Sequence, residues 1–100
     1  MRITLQFFEG CPGWKRTEAH IATLRGEGFD LTLEHQRIES QEDAERLGFC
    51  GSPTVLIDGI DPFADHDSEF GLSCRVYMTE TGIAASPSLD QLRAAVVAAA

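Results

Sequence analysis

Cys11-Pro12-Gly13-Trp14 falls where an apolar run ends and a helical pattern begins. Residues 3–8 read as a strand, and Gly10 breaks the run. Cys11 then takes the first position of a predicted helix, with Pro12 just inside it. A thiol so placed faces unpaired backbone N–H groups and the positive end of a helix dipole, which favour a nucleophilic thiolate. Lys15 or Arg16 would add to that field, or simply lie on the surface; Glu9 would oppose it, since a nearby negative charge disfavours the thiolate. The competing reading of Cys11 is a small buried hydrophobe, because free cysteine is among the most buried residue types.

The rest of the composition narrows the chemistry. The chain has three cysteines, Cys11, Cys50 and Cys74. An odd count with no C-x-x-C pair argues against a disulfide framework, a zinc knuckle or a dithiol motif of the usual form. Sixteen acids against eight bases leave a formal charge of −8, which argues against a nucleic-acid partner. No apolar run approaches the roughly 20 residues a membrane span needs. The N-terminus enters a strand pattern at once, without a signal-peptide profile, so a cytoplasmic location is expected. No cofactor is implied.

The elements that must position Cys11 follow from periodicity. Ile3, Leu5 and Phe7 alternate with Thr4, Gln6 and Phe8, as in a central strand. Trp14, Thr17, Ile21 and Leu24 recur at helical spacing, so residues 12–25 form an amphipathic helix ended by Gly26 and Gly28. Phe29 to Ile38 reads as a second strand. Ser40 suits the N-cap of a short helix over 41–47, with Gly48 at its end. Cys50-Gly51-Ser52-Pro53 is a loop before a short apolar strand, Thr54 to Ile57. Residues 60–72 form an acidic loop. Cys74 to Thr79 reads as a fourth strand, followed by a turn at Glu80-Thr81-Gly82. Ser88-Leu89-Asp90-Gln91 is a capping-box pattern opening the last helix. The strand–helix–strand start implies a parallel crossover.

This order, the Cys-Pro dipeptide closing the first strand, and Gly51-Ser52-Pro53-Thr54 before the third strand together resemble the thioredoxin-like superfamily. The resemblance covers nearly the whole chain. More narrowly, the stretches from Phe8 to Trp14, Gly51 to Phe63 and Leu72 to Tyr77 look like short bacterial thioredoxin-family proteins, some labelled alkylmercury lyase. The thiol-and-carboxylate set of that lyase chemistry does not map onto this chain. The resemblance implies a single α/β thioredoxin-like domain with a four-stranded mixed sheet and three helices. Strand order would be 2-1-3-4, the fourth strand antiparallel to the third. It also implies a cis peptide bond at Ser52-Pro53, beside the nucleophilic cysteine. Three features depart from the family pattern. Trp14 stands where the second thiol of C-x-x-C would be, Gly10 replaces an aromatic, and Leu5 replaces the buried proton-relaying aspartate.

On this footing the remaining residues can be weighed. Cys50 lies in the loop expected to approach Cys11; it is either a resolving thiol or an incidental loop cysteine. In the expected topology Cys74 is remote from Cys11 and belongs to core or sheet packing. Trp14 is either a wall of a substrate cleft or ordinary packing. Asp61, Asp65, His66, Asp67 and Glu69 are oxygen-rich but lack the ligand order of an EF-hand loop. His20 and His35 have no evident partner and read as surface or structural residues. Cys11, Cys50 and a histidine would make a soft-metal set, but no spacing singles it out.

Two functions follow. The first is monothiol-type thiol–disulfide exchange with a protein or low-molecular-weight thiol or disulfide. Cys11 is its nucleophile and Cys50 a possible resolving thiol; Pro12, Gly13, Trp14, Ser52 and Pro53 form the substrate-binding surface. The second is a non-catalytic module that uses the Trp14–Pro53 surface to bind a protein or a soft metal ion such as mercury.

Overall fold

The computed structural model describes residues 1–64 and 71–100. Asp65, His66, Asp67 and Glu69 lie outside the described residues. The elements run in the order β1 (Arg2–Phe7), α1 (Gly13–Gly26), β2 (Thr32–Arg37), α2 (Gln41–Leu47), β3 (Thr54–Ile57), β4 (Tyr77–Thr79), β5 (Gly82–Ala84) and α3 (Leu89–Ala99). β1 is central, parallel to β2 and antiparallel to β3, with Leu5 opposite both His35 and Val55.

The expected single four-stranded sheet is not what forms. The described residues hold a three-stranded sheet, β2-β1-β3, and a separate two-stranded sheet, β4-β5. The fourth strand begins at Tyr77 rather than Cys74, and its partner is β5, with Met78 opposite Ile83. Two interactions account for the change. Residues 73–75 are drawn onto Ser52, where Ser52 and Cys74 form an isolated parallel bridge. Beyond that bridge, Tyr77 reaches the start of β3 through its side chain, its hydroxyl donating to the Pro53 carbonyl. β4 is thus tied to the larger sheet by a side chain instead of a ladder, and its backbone pairs with the three residues after the turn. The thioredoxin-like strand order is therefore absent.

Two apolar clusters hold the fold. Ile3, Leu5 and Phe7 of β1 meet Ile21 and Leu24 of α1, Val55 and Ile57 of β3, and Leu92 and Val96 of α3. The helical stripe of α1 is the one its spacing predicts. Ile38, Ala44 and Phe49 form the second cluster, with Phe8 and Leu47 against it. Both serine caps are formed. The Ser40 side chain accepts from the Asp43 N–H at 3.0 Å. Ser88 and Gln91 make a reciprocal capping box. Glu27, at the end of α1, receives two hydrogen bonds from Arg93 of α3 at 2.9 and 2.6 Å. The Arg93 guanidinium holds the Glu27 carboxyl below its usual range. No helix among the described residues is long and apolar enough to cross a membrane.

Candidate functional site

Cys11 sits between the end of β1 and the start of α1. Its N–H donates to the Phe8 carbonyl at 3.3 Å, which closes the turn after the strand. The helix itself begins at Gly13, with Pro12 as its N-cap. Cys11 therefore lies just outside the cap, rather than on the first helical turn as expected. The first turn of α1 carries no acidic residue, so no acid of the helix itself offsets the positive end of its dipole.

Gly13 was expected on a substrate-binding surface. It is buried, and a Cβ built there would stand 2.2 Å from the Ala85 carbonyl oxygen. A backbone oxygen cannot swing aside as a side chain can, so this glycine exists to let the chain after β5 close over the helix start. Gly13→Ala is expected to destabilise the fold by about 1–3 kcal/mol, the usual cost of overpacking. A denaturant titration that finds the variant as stable as the parent would show that the two segments do not touch.

The sulfur of Cys11 is bonded to that of Cys74, across a sequence separation of 63 and a Cα–Cα distance of 5.8 Å. Cys74 was expected to be remote from Cys11; the chain from Gly71 to Arg75 instead folds back over the end of β1. The two cysteines differ in access. Cys11 is 1% exposed, whereas Cys74 is exposed. Cys50 is a free, half-buried thiol. Its sulfur lies 3.7 Å from the Gly48 carbonyl, and burial pushes its pKa above the ordinary value, partly offset by Arg75.

Ser52 is the hub of the site. Its N–H donates to the Ser73 carbonyl at 2.8 Å, and its own carbonyl accepts from the Arg75 N–H at 2.9 Å. Cys11 Sγ lies 3.5 Å from the same carbonyl oxygen. The Ser52 hydroxyl accepts from the Phe8 N–H at 3.3 Å, joining the loop to the end of β1. Gly51 makes this approach possible. Its φ of 120° suits glycine, and a Cβ there would come within 3.0 Å of Arg75 Cβ. The Ser52-Pro53 bond is cis, as the resemblance implies. Pro53 is buried, and its carbonyl accepts from Tyr77. Burial pushes the Tyr77 pKa well above its ordinary value, so the phenol remains a donor.

Trp14 contributes little to this cluster. It stacks on Phe7, with ring centroids 4.2 Å apart, and meets His35 edge-on at 6.4 Å. The packing reading applies to these contacts. His35 is paired with Glu18, a partner the sequence did not suggest. Pro12 is exposed beside the helix start. The structure thus brings Cys11, Ser52 and Pro53 together and adds Cys74 and Arg75, which sequence reasoning missed. Read as the first residue of the expected fourth strand, Cys74 carried no local signal that could identify a partner. No group of three His, Cys, Asp or Glu side chains among the described residues is arranged to hold a metal ion.

Compared with protein-family models, curated proteins and solved structures, the chain matches none.

Proposed function

We propose that the chain is a thiol–disulfide exchange protein whose reacting pair is Cys11 and Cys74, with Cys11 as the nucleophile of the reduced form. The observation that carries this reading is the asymmetry of the disulfide: Cys74, an exposed residue, is bonded to Cys11, a buried one just before the start of α1. A low-molecular-weight thiolate attacks the sulfur of Cys74, the exposed residue of the pair. The S–S bond breaks, a mixed disulfide forms on Cys74, and Cys11 leaves as a thiolate beside the helix terminus. A second thiol attacks the external sulfur of that mixed disulfide, releasing an oxidised thiol pair and the Cys74 thiolate. Cys11 then attacks a substrate disulfide and expels one substrate thiolate. Cys74 attacks the Cys11 sulfur, frees the second substrate thiolate and restores the protein disulfide. The net change is one substrate disulfide reduced and two external thiols oxidised.

In this scheme Cys74 takes the resolving role first considered for Cys50. Cys50 is disfavoured as an attacking group because burial raises its pKa. The Cys-Pro and Ser-Pro motifs that resemble thioredoxin-family proteins support the same chemistry without the family's sheet. Work in the cytoplasm fits this reading, because cytosolic disulfides are usually transient and catalytic. The substrate is a thiol or disulfide, not a nucleic acid or membrane.

A second reading is a non-catalytic module that binds a protein or a soft metal ion such as mercury. It is favoured by the cover that residues 73–75 place over Ser52. Brief exposure of the oxidised, folded protein to glutathione, followed by acid quench and mass spectrometry, separates the two. Exchange predicts a glutathione adduct on Cys74 with Cys11 free. A disulfide that resists glutathione until the protein unfolds would leave the binding reading in its place.

A further inference from the structure

Residues 73–75 lie on Ser52 as a docked strand. Two backbone hydrogen bonds flank Cys74, one to Ser73 and one from Arg75, and the sulfur between them is bonded to Cys11. The Arg75 side chain completes the arrangement. Its guanidinium donates to Asp61 Oδ2 at 2.7 Å, to Thr54 Oγ1 at 3.4 Å and to the Phe63 carbonyl. It also lies over the Tyr77 ring, 4.7 Å from the centroid. Asp61 is held in place from its other oxygen, which accepts from the Phe63 N–H at 2.8 Å. The Arg75 and Asp61 side chains are only 10% and 18% exposed.

A reactive sulfur, a backbone donor and acceptor, and a fixed cation pocket one residue beyond the sulfur are therefore matched to one short sequence, Ser-Cys-Arg. We infer that this is a peptide-recognition site, for an extended segment in which arginine directly follows a disulfide-bonded cysteine, and that residues 73–75 are its tethered occupant. The inference rests on the exchange reading above and names the substrate class for it. Opening of the disulfide leaves the segment held by its backbone pairing and by Arg75. Departure of Arg75 leaves Asp61, mostly buried, without its counter-ion, a costly state. The pocket therefore favours an incoming chain that restores a guanidinium. Lysine fits less well, because a point charge cannot serve Asp61, Thr54 and the Phe63 carbonyl through one planar fork. In the exchange step the Cys11 thiolate attacks the peptide sulfur, forms the protein–peptide disulfide and expels the other sulfur as a thiolate.

The test uses Cys74→Ser protein and two peptides of equal composition, Gly-Leu-Ser-Cys-Arg-Val-Tyr and Gly-Leu-Arg-Cys-Ser-Val-Tyr. Each carries thionitrobenzoate on its cysteine, so attack by Cys11 releases a coloured thiolate. The first peptide is expected to react about tenfold faster, the lower end of what a charge-assisted hydrogen bond contributes. Asp61→Asn should remove most of that preference. Rates are compared at peptide concentrations where they rise in proportion to peptide, so that opening of the tethered segment, common to both, cancels from their ratio. Equal rates for the two peptides would overturn the recognition site while leaving exchange intact. Reaction of neither peptide, nor of the free aromatic disulfide reagent, in protein shown by circular dichroism to be folded would overturn exchange itself.

Discussion

Reduction of the Cys11–Cys74 disulfide is expected to lower the free energy of unfolding by about 4 kcal/mol. The bond spans a sequence separation of 63, and the entropy it removes from the unfolded chain grows with the logarithm of loop length. The chain-entropy relation for a loop of that size gives the figure of about 4 kcal/mol. Small domains have only about 5–15 kcal/mol in all, so the loss is a large share of the total. At roughly 4–8 °C per kcal/mol for a domain of this size, the melting temperature should fall by about 15–30 °C. Thermal melts with and without reductant check this, on a Cys50→Ser background that prevents thiol scrambling. A fall below about 5 °C, with full reduction verified by mass, would mean that the two sulfurs are not bonded in the native fold.

The same coupling bears on exchange. Whatever the disulfide contributes to the fold, the fold contributes to the disulfide, because the two equilibria form one thermodynamic cycle. Once the bond opens, residues 73–75 keep only their pairing with Ser52 and the Arg75–Asp61 contact. The least restrained part of the reduced site is then the segment that covers Cys11. On the proposed reading, reduction of the pair loosens that segment and so favours access to Cys11.

How much of this was legible in the sequence depends on the range of the interactions. Local signals were read correctly: the Ser40 and Ser88 caps, the buried stripe Thr17, Ile21 and Leu24, and the meeting of Cys11 with Ser52 and Pro53. Each depends on neighbours a few residues apart, or, for the last, on a recognisable pair of motifs. The largest departures involve the chain after β3. β5 has only three residues, Gly82–Ala84, too few for an alternating pattern. The partner of Cys74 lies 63 positions away and is set by how the intervening chain returns, which no local periodicity records. Arg75 carried no signal of its own within the expected strand from Cys74 to Thr79. Its near burial depends on Asp61 and the Phe63 carbonyl, neither of which signals its position in sequence. The expected fourth strand assumed that Cys74 to Thr79 would extend the main sheet. A disulfide and a backbone bridge at Ser52 hold the first residues of that stretch elsewhere.

Cys11→Ser should reduce exchange with a model disulfide to the uncatalysed background, while Cys50→Ser leaves it within about twofold, the scatter of an ordinary surface substitution. The contrast follows from chemistry and position together. A serine hydroxyl cannot form the mixed disulfide through which exchange proceeds. Cys11 stands beside a helix N-terminus with no acid in its first turn, which favours the thiolate. Cys50 instead follows the C-terminal end of α2, where the helix dipole disfavours a thiolate, and burial raises its pKa. Cys74→Ser gives the third result that defines the roles: the first attack by Cys11 persists, but the mixed disulfide accumulates because no internal thiol resolves it. Mass spectrometry of the stalled adduct and steady-state turnover, measured on the three variants, separate nucleophile, resolving thiol and bystander. Retained turnover in Cys11→Ser would move the nucleophile to Cys74, the exposed residue of the pair. Loss of turnover in Cys50→Ser would return the resolving role to the loop before Pro53.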